Sequence, residues 1–98
     1  RGYQILARNL RLGHGELDIV ARQGEVTAFV EVKYRRDSRF GTPAEAVTPL
    51  KMRRILSAAT CYAAEHDLLE TPLRFDIIEL SAGSIRHIEG AFDESDCI

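Results

Sequence analysis

Polar and apolar residues alternate through much of the first third of the chain. Tyr3–Arg8 (YQILAR) alternates loosely and is rich in strand formers, which predicts a short strand. Glu16–Ala21 (ELDIVA) alternates with the two-residue period of a half-buried strand. Val26–Lys33 (VTAFVEVK), with three valines and a phenylalanine, is the clearest strand in the sequence. Gly13-His14-Gly15 punctuates the first pair, and Arg22–Glu25 reads as the turn of the second, with Gly24 able to take positive φ. Tyr34–Val47 is polar and basic with Gly41 and Pro43, so it reads mostly as loop. At Thr48-Pro49 the period changes. Thr48 can cap free N–H groups and Pro49 suits the first helical position. Met52, Ile55, Leu56, Ala59, Tyr62 and Ala63 then follow helical spacing, with Lys51, Arg54 and Ala58 off the stripe. The helix should fade near His66-Asp67. Leu73–Leu80 (LRFDIIEL) and Ile85–Ile88 read as two further strands around Ser81–Ser84, and Asp93–Asp96 as a frayed acidic tail. Three strands, a helix and two strands predict an α/β or α+β sheet domain with one covering helix.

A hairpin centred on Gln23-Gly24 would oppose Glu16 to Glu31, Asp18 to Phe29 and His14 to Lys33. Side chains alternate between the faces of a sheet. One face would carry Leu17, Ile19, Ala21, Ala28, Val30 and Val32. The other would carry His14, Glu16, Asp18, Glu31 and Lys33, becoming apolar at Val20 and Phe29 near the turn. Two carboxylates ~5 Å apart repel by roughly 3 kcal/mol at an effective dielectric near 20. Asp18 adds a third negative charge, and Lys33 alone cannot neutralise all three. A bound cation or a protonated acid would relieve the strain, and oxygen-only ligands favour Mg²⁺ or Mn²⁺. The bland alternative is a solvated polar face with Lys33 in a salt bridge. Against it stands the placement of Glu31 and Lys33 inside an otherwise apolar strand.

Composition narrows the classes. The chain has 98 residues, of which 45% are hydrophobic and 29% charged, the profile of one globular domain and not of a disordered or fibrous chain. No apolar run reaches the ~18–20 residues of a membrane span, and no signal-peptide pattern occurs. Cys61 and Cys97 are too few for a disulfide framework or an all-cysteine zinc site, so a cytoplasmic setting is the default. The net charge of -2 conceals an asymmetry. Residues 33–54 hold Lys33, Arg35, Arg36, Arg39, Lys51, Arg53 and Arg54 against Asp37 and Glu45. That local excess suits a polyanion partner, although a solvated basic face has the same composition.

Gly15-Glu16-Leu17-Asp18 followed by Glu31-Val32-Lys33 resembles the split D…(D/E)-x-K motif of restriction-endonuclease-like nucleases. More closely, the chain is similar to the bacterial YraN-like family of predicted endonucleases. GYQILARN (2–9), GELDIVA (15–21), FVEVKYR (29–35), FGTPAEAVT (40–48), Arg74-Phe75-Asp76, His87-Ile88-Glu89 and Ala91-Phe92 carry the resemblance in order. A lone E-x-K is weak; the ordered set is specific. The resemblance implies an α/β, restriction-endonuclease-like three-layer core, a central mixed sheet flanked by helices as in archaeal Holliday-junction resolvases. It places one nuclease-like domain over 1–98, with 1–92 as core. Members of the family usually begin with a further helix bearing Gly-x-x-Gly-Glu. This chain starts at Arg1-Gly2, so that helix is missing from it, whether cut off, disordered or absent, and the acid it gives related nucleases cannot be placed here.

What the family implies is a metal-dependent endonuclease acting on structured or branched DNA. Asp18 and Glu31 would ligate Mg²⁺ or Mn²⁺, with the carbonyl of Val32 and with Glu16 as further or outer ligand. Asp18, Glu31 and Lys33 would form the catalytic set, Lys33 holding the attacking water or stabilising charge on the phosphorane. Arg35, Arg36, Arg39, Lys51 and Arg54 would contact backbone phosphates, positioning the substrate without reading bases. His14 between two glycines reads as a turn residue in preference to a base. Tyr34 and Phe40 either stack on bases or pack in the core, the latter being the ordinary fate of an aromatic. Asp76 is either a hydrogen-bonded anchor or an edge-strand acid. The alternative function is a nucleic-acid-binding module that keeps the fold without turnover. The resolvase analogy adds a homodimer; no membrane partner is expected.

Overall fold

A computed structural model describes residues 2–35 and 47–97, with the side chains of Arg35 and Cys97 outside that description. The expected order of elements is found. Strands β1 (Gln4–Leu12), β2 (Gly15–Gln23) and β3 (Val26–Arg35) precede helix α1 (Pro49–Glu65). Strands β4 (Leu73–Ser81) and β5 (Ser84–Phe92) follow, and a single 3-10 turn occupies Glu94–Cys97, where the acidic tail was expected to fray. The strands form one sheet in the order β1-β2-β3-β4-β5. All neighbours are antiparallel except β3 and β4, which are parallel. Parallel neighbours need a crossover, and α1 lies in that connection. The domain is thus an α/β fold with a mixed central sheet, consistent with a restriction-endonuclease-like core. Among the described residues one α-helix covers it.

Helix α1 starts and stops for the reasons its sequence gives. Thr48 Oγ1 accepts the Lys51 N–H at 3.2 Å, Pro49 opens the first turn, and His66 closes the last with its N–H on the Tyr62 carbonyl. Met52, Ile55, Ala58, Ala59, Tyr62 and Ala63 are buried. Ala58, placed off the stripe by spacing alone, is on it, and Leu56 sits at its margin; an alanine lets the helix approach the sheet closely. The stripe packs on Leu17, Val20, Phe29, Phe75, Ile77 and Phe92. Phe29 meets Tyr62 edge to face with centroids 6.0 Å apart. Val47, read as loop, is buried in the same core.

The β2–β3 register differs from the expected one by two residues. Ile19 pairs with Val30, Val20 with Phe29 and Gln23 with Val26. Gly24 (φ +61) and Glu25 make the turn, the pattern of a II′ hairpin with glycine at its first central position, so Gln23 stays in the strand. An even shift preserves the faces. Its consequence is that Asp18, not Glu16, falls level with Glu31, and Glu16 level with Lys33.

A second departure lies in β1. Asn9 has positive φ (50°), and Asn9 and Asp18 drop out of the pairing between Arg8↔Ile19 and Leu10↔Leu17, while the register itself shifts earlier, between Ile5 and Ala7. Leu17 and Val20, three apart and so on opposite faces of a regular strand, both join the helix-side core. The paired strands bend at Asn9 and Asp18. Leu17 therefore leaves the apolar face assigned to it, and Asp18 stands at the bend. The β1–β2 turn then presses on α1. A Cβ at Gly13 (φ +57) would lie 3.0 Å from Cys61 Sγ, and one at Gly15 would meet the Arg54 carbonyl oxygen at 2.2 Å.

Candidate functional site

Glu31 is 5% exposed, in a strand whose preceding helix-side residue is the core phenylalanine Phe29. Burial first, and the neighbouring Asp18 carboxylate second, push the Glu31 carboxyl above its ordinary range. Lys51 and Lys33 offset part of that push. Their Nζ atoms lie 3.4 Å and 3.6 Å from Glu31 Oε2. The sequence had foreseen Lys33 as the nearby cation. The second is Lys51, delivered by the first turn of α1 and expected only as a phosphate contact. An ion pair from the helix thus supplies part of the neutralisation assigned beforehand to a metal or a proton.

Asp18 is held differently. Its Oδ2 accepts the Val32 N–H at 2.9 Å, a bond that a strand carbonyl would otherwise accept. The β2–β3 register ends at Ile19↔Val30, and the Asp18 side chain takes over the next backbone donor. One oxygen is spent on Val32, and the carboxylate charge still reaches Glu31.

Glu16, the expected further ligand, is exposed beside Arg11, 3.2 Å from its guanidinium. Among the described residues no group of three or more acids, histidines or cysteines is arranged to hold a metal. The donors brought together are the Asp18 and Glu31 carboxylates, with the Val32 main chain between Glu31 and Lys33. Mg²⁺ commonly binds one or two carboxylates and keeps several waters, so this oxygen set fits a hard divalent ion in its chemistry.

At Lys51, the helix partner of Glu31, a hollow of about 410 Å³ opens between the β1–β2 turn and α1. Arg11, His14, Glu16, Lys51 and Arg54 line it, with Ile55 at its base. Arg54 has no acidic partner among the described residues. His14 occupies the turn, as its flanking glycines suggested. Arg36, Arg39 and Phe40 lie outside the described residues, as does the side chain of Arg35. Tyr34 is 81% exposed, so core packing, the ordinary expectation for it, is overturned.

Two acids carry more than their sequence context suggested. Glu79, 2% exposed, meets Arg86 Nη1 at 3.4 Å and lies level with Lys33 across the parallel pair. Asp76 is fully buried, and so not an edge acid. It accepts two bonds from Arg74 at 2.8 and 2.9 Å, one from Gly90 N–H at 3.0 Å, and contacts His87 Nε2 at 2.8 Å. Gly90 (φ +62) turns its N–H inward at a β5 irregularity, where the register steps from Ile77↔Ile88 to Phe75↔Phe92. Tyr3 OH donates to Glu89 and accepts from Arg74, both at 2.5 Å, joining the chain's start to β4 and β5.

A mixed-sheet α/β domain with a buried acid, a backbone-anchored aspartate and two lysines at one end of its sheet is the class that these observations define. The chain belongs to the family described as Uncharacterised protein family UPF0102, whose model matches residues 1–80. It is 50% identical over 94 residues to a UPF0102 protein of Lachnoclostridium phytofermentans, covering 95% of this chain and 80% of that one. A UPF0102 protein of Symbiobacterium thermophilum is 49% identical over 82 residues, 84% of this chain and 70% of its own. One of Geobacter sulfurreducens is 44% identical over 96 residues, 93% and 75% of the two chains. No described helix is long and apolar enough to cross a membrane.

Proposed function

We propose that this protein is a metal-dependent endonuclease that hydrolyses phosphodiester bonds in structured or branched DNA. The observation that carries the reading is Glu31, a buried carboxyl pushed up by burial and by Asp18 and only partly offset by two lysines. An acid kept under such strain is a recurrent mark of a working site. Asp18, Glu31 and the Val32 carbonyl would hold Mg²⁺ or Mn²⁺. When bound, the ion supplies Lewis-acid polarisation of a phosphate oxygen and a more acidic water. Lys33 orients the attacking water and opposes the negative charge that builds on the phosphorane. Lys51 and Arg54 hold phosphates flanking the reacting one, in the hollow between the β1–β2 turn and α1. Arg35, Arg36 and Arg39 extend that contact, and a homodimer would bring two sites to two strands.

One observation favours a second reading. Glu31 already has two ammonium partners, and Glu16 is turned to Arg11. A chain that bound nucleic acid without turnover would look the same. Incubation of a four-way junction and a plain duplex with Mg²⁺, Mn²⁺ or EDTA separates the two. Junction cleavage that requires metal and disappears in Asp18→Asn and Glu31→Gln supports the enzyme. Binding without cleavage in either metal supports the module, and no binding at low salt removes both.

A further inference from the structure

Tyr34 is the most exposed of the large apolar side chains among the described residues. It follows Lys33 directly, so the two point to opposite faces of β3. Lys33 joins Glu31 on the helix side. Tyr34 borders a separate hollow of about 320 Å³, whose walls are Arg8 and Asn9 from β1, Asp18 and Ile19 from β2, and Val32. The origin of this hollow is visible in the register. β2 stops pairing with β3 at Ile19↔Val30, while β3 runs on to Arg35 beside β4. Asp18 stands in the gap with one oxygen on the Val32 N–H. The hollow therefore shares Asp18 with the acid pair.

Its chemistry is a flat aromatic wall, an arginine without an acidic partner among the described residues, and an apolar floor at Ile19. An aromatic side chain and a guanidinium plane are the groups on which unpaired bases stack. We propose that the Tyr34 hollow seats one unpaired nucleobase of the strand held at Asp18 and Glu31, so that the site selects nucleotides outside a continuous duplex. The inference rests on the nucleic-acid reading above and names its substrate class: bulges, flaps and branch points. A base within a duplex already has both faces covered by its neighbours and cannot reach the ring. An apolar row runs from exposed Tyr34 through half-buried Leu80 to exposed Ile85, a strip that a protein partner would also use. The cation in its wall, Arg8, favours the polyanion.

The test places 2-aminopurine at a single unpaired position of a DNA duplex and, separately, at a paired position, with binding measured at low salt in EDTA. The native chain should quench the unpaired probe and bind that DNA more tightly. Tyr34→Ala should abolish the quenching and weaken binding to the unpaired-site DNA by about 5- to 100-fold, from the usual worth of one stacked base. Its affinity for the paired duplex should change less than twofold, and Tyr34→Phe should behave as the native chain. Equal losses on both DNAs, or none on either, overturn the proposal. So does a Tyr34→Ala chain whose oligomeric state changes while its quenching is intact, which would assign the strip to protein contact. If the native chain binds neither DNA, the nucleic-acid reading itself falls; if it binds both and discriminates neither, only the base pocket does.

Discussion

Glu31 and Asp76 are both buried carboxyls on neighbouring parallel strands, and they are shifted in opposite directions. Burial pushes each up. At Asp76, bonds from Arg74, Gly90 and His87 outweigh burial and hold the carboxyl below its ordinary range. At Glu31 the neighbours are a like charge and two ammonium groups at 3.4 and 3.6 Å, and the carboxyl stays high. The difference lies in geometry more than in net charge. A guanidinium meets a carboxylate with two short parallel bonds, whereas an ammonium at the end of a flexible stem is a point charge. Asp76 has its hydrogen bonds complete and gains nothing from a ligand. Glu31 is incomplete, and a cation would relieve it.

The largest effect should come from breaking the complete site. Asp76→Ala leaves the half-buried Arg74 without its carboxylate and Gly90 N–H and His87 without an acceptor. It should cost about 3–5 kcal/mol, as removal of one partner of a buried pair does. Urea unfolding followed by circular dichroism measures this; a loss under about 1 kcal/mol would mean that water replaces the carboxylate freely. The pH dependence has a definite sign. Because the folded value is depressed, the Asp76 contribution is present above the ordinary aspartate value and fades as pH falls through the folded one.

Glu31→Gln should act in the other direction. Its folded value is raised, so folding takes up a proton in the interval above the ordinary glutamate value, and stability falls as pH rises through that interval. Glutamine removes this slope and should raise stability at neutral pH by about 0.5–2 kcal/mol, the gain usual when a strained functional group is replaced. Added Mg²⁺ should raise the melting temperature of the native chain and leave Glu31→Gln unmoved. A variant less stable than the native chain at pH 7 would place Glu31 with Asp76, as a structural ion pair.

Much of this contrast was legible in the sequence on one side only. Glu31 and Lys33 stood out because they interrupt an apolar strand, and local alternation was enough to find them. Thr48-Pro49 marked the helix start because a cap is a local device. Asp76 was not decidable, since beyond the nearby Arg74 its partners His87 and Gly90 come from another strand, and the parallel β3–β4 pairing that buries it joins strands more than forty residues apart. The last strand was expected to end at Ile88, whereas β5 runs on through Gly90, the irregularity that aims an N–H at Asp76. Asn9 concealed the bend in β1 and β2 for the same reason. The hairpin register was missed by two residues because either Gln23-Gly24 or Gly24-Glu25 can make the turn, and only strand pairing decides. Lys51 could not be linked to Glu31 before the helix was docked on the sheet.

A smaller effect should come from Tyr3→Phe, which removes the hydroxyl shared by Arg74 and Glu89 but leaves Asp76 its own bonds. A loss of about 1 kcal/mol is expected, the net worth of such a hydrogen bond. A loss as large as that of Asp76→Ala would make the whole cluster one cooperative unit.

The smallest change in stability, and the sharpest probe of Glu31, is Lys51→Ala. Lys51 is 43% exposed in its side chain, so its pair with Glu31 is screened and its loss should cost about 0–1 kcal/mol. The titration of Glu31 should respond more clearly than stability does. Removing a cation 3.4 Å away leaves burial and Asp18 less opposed, so the Glu31 carboxyl should titrate at still higher pH, read from its side-chain carbon shift by nuclear magnetic resonance. Adding Mg²⁺ should return it downward, because a divalent ion stabilises the same carboxylate. If Lys51→Ala leaves the titration where it was, Lys33 alone sets the charge balance at Glu31, and Lys51 belongs to the phosphate-binding hollow and not to the acid pair.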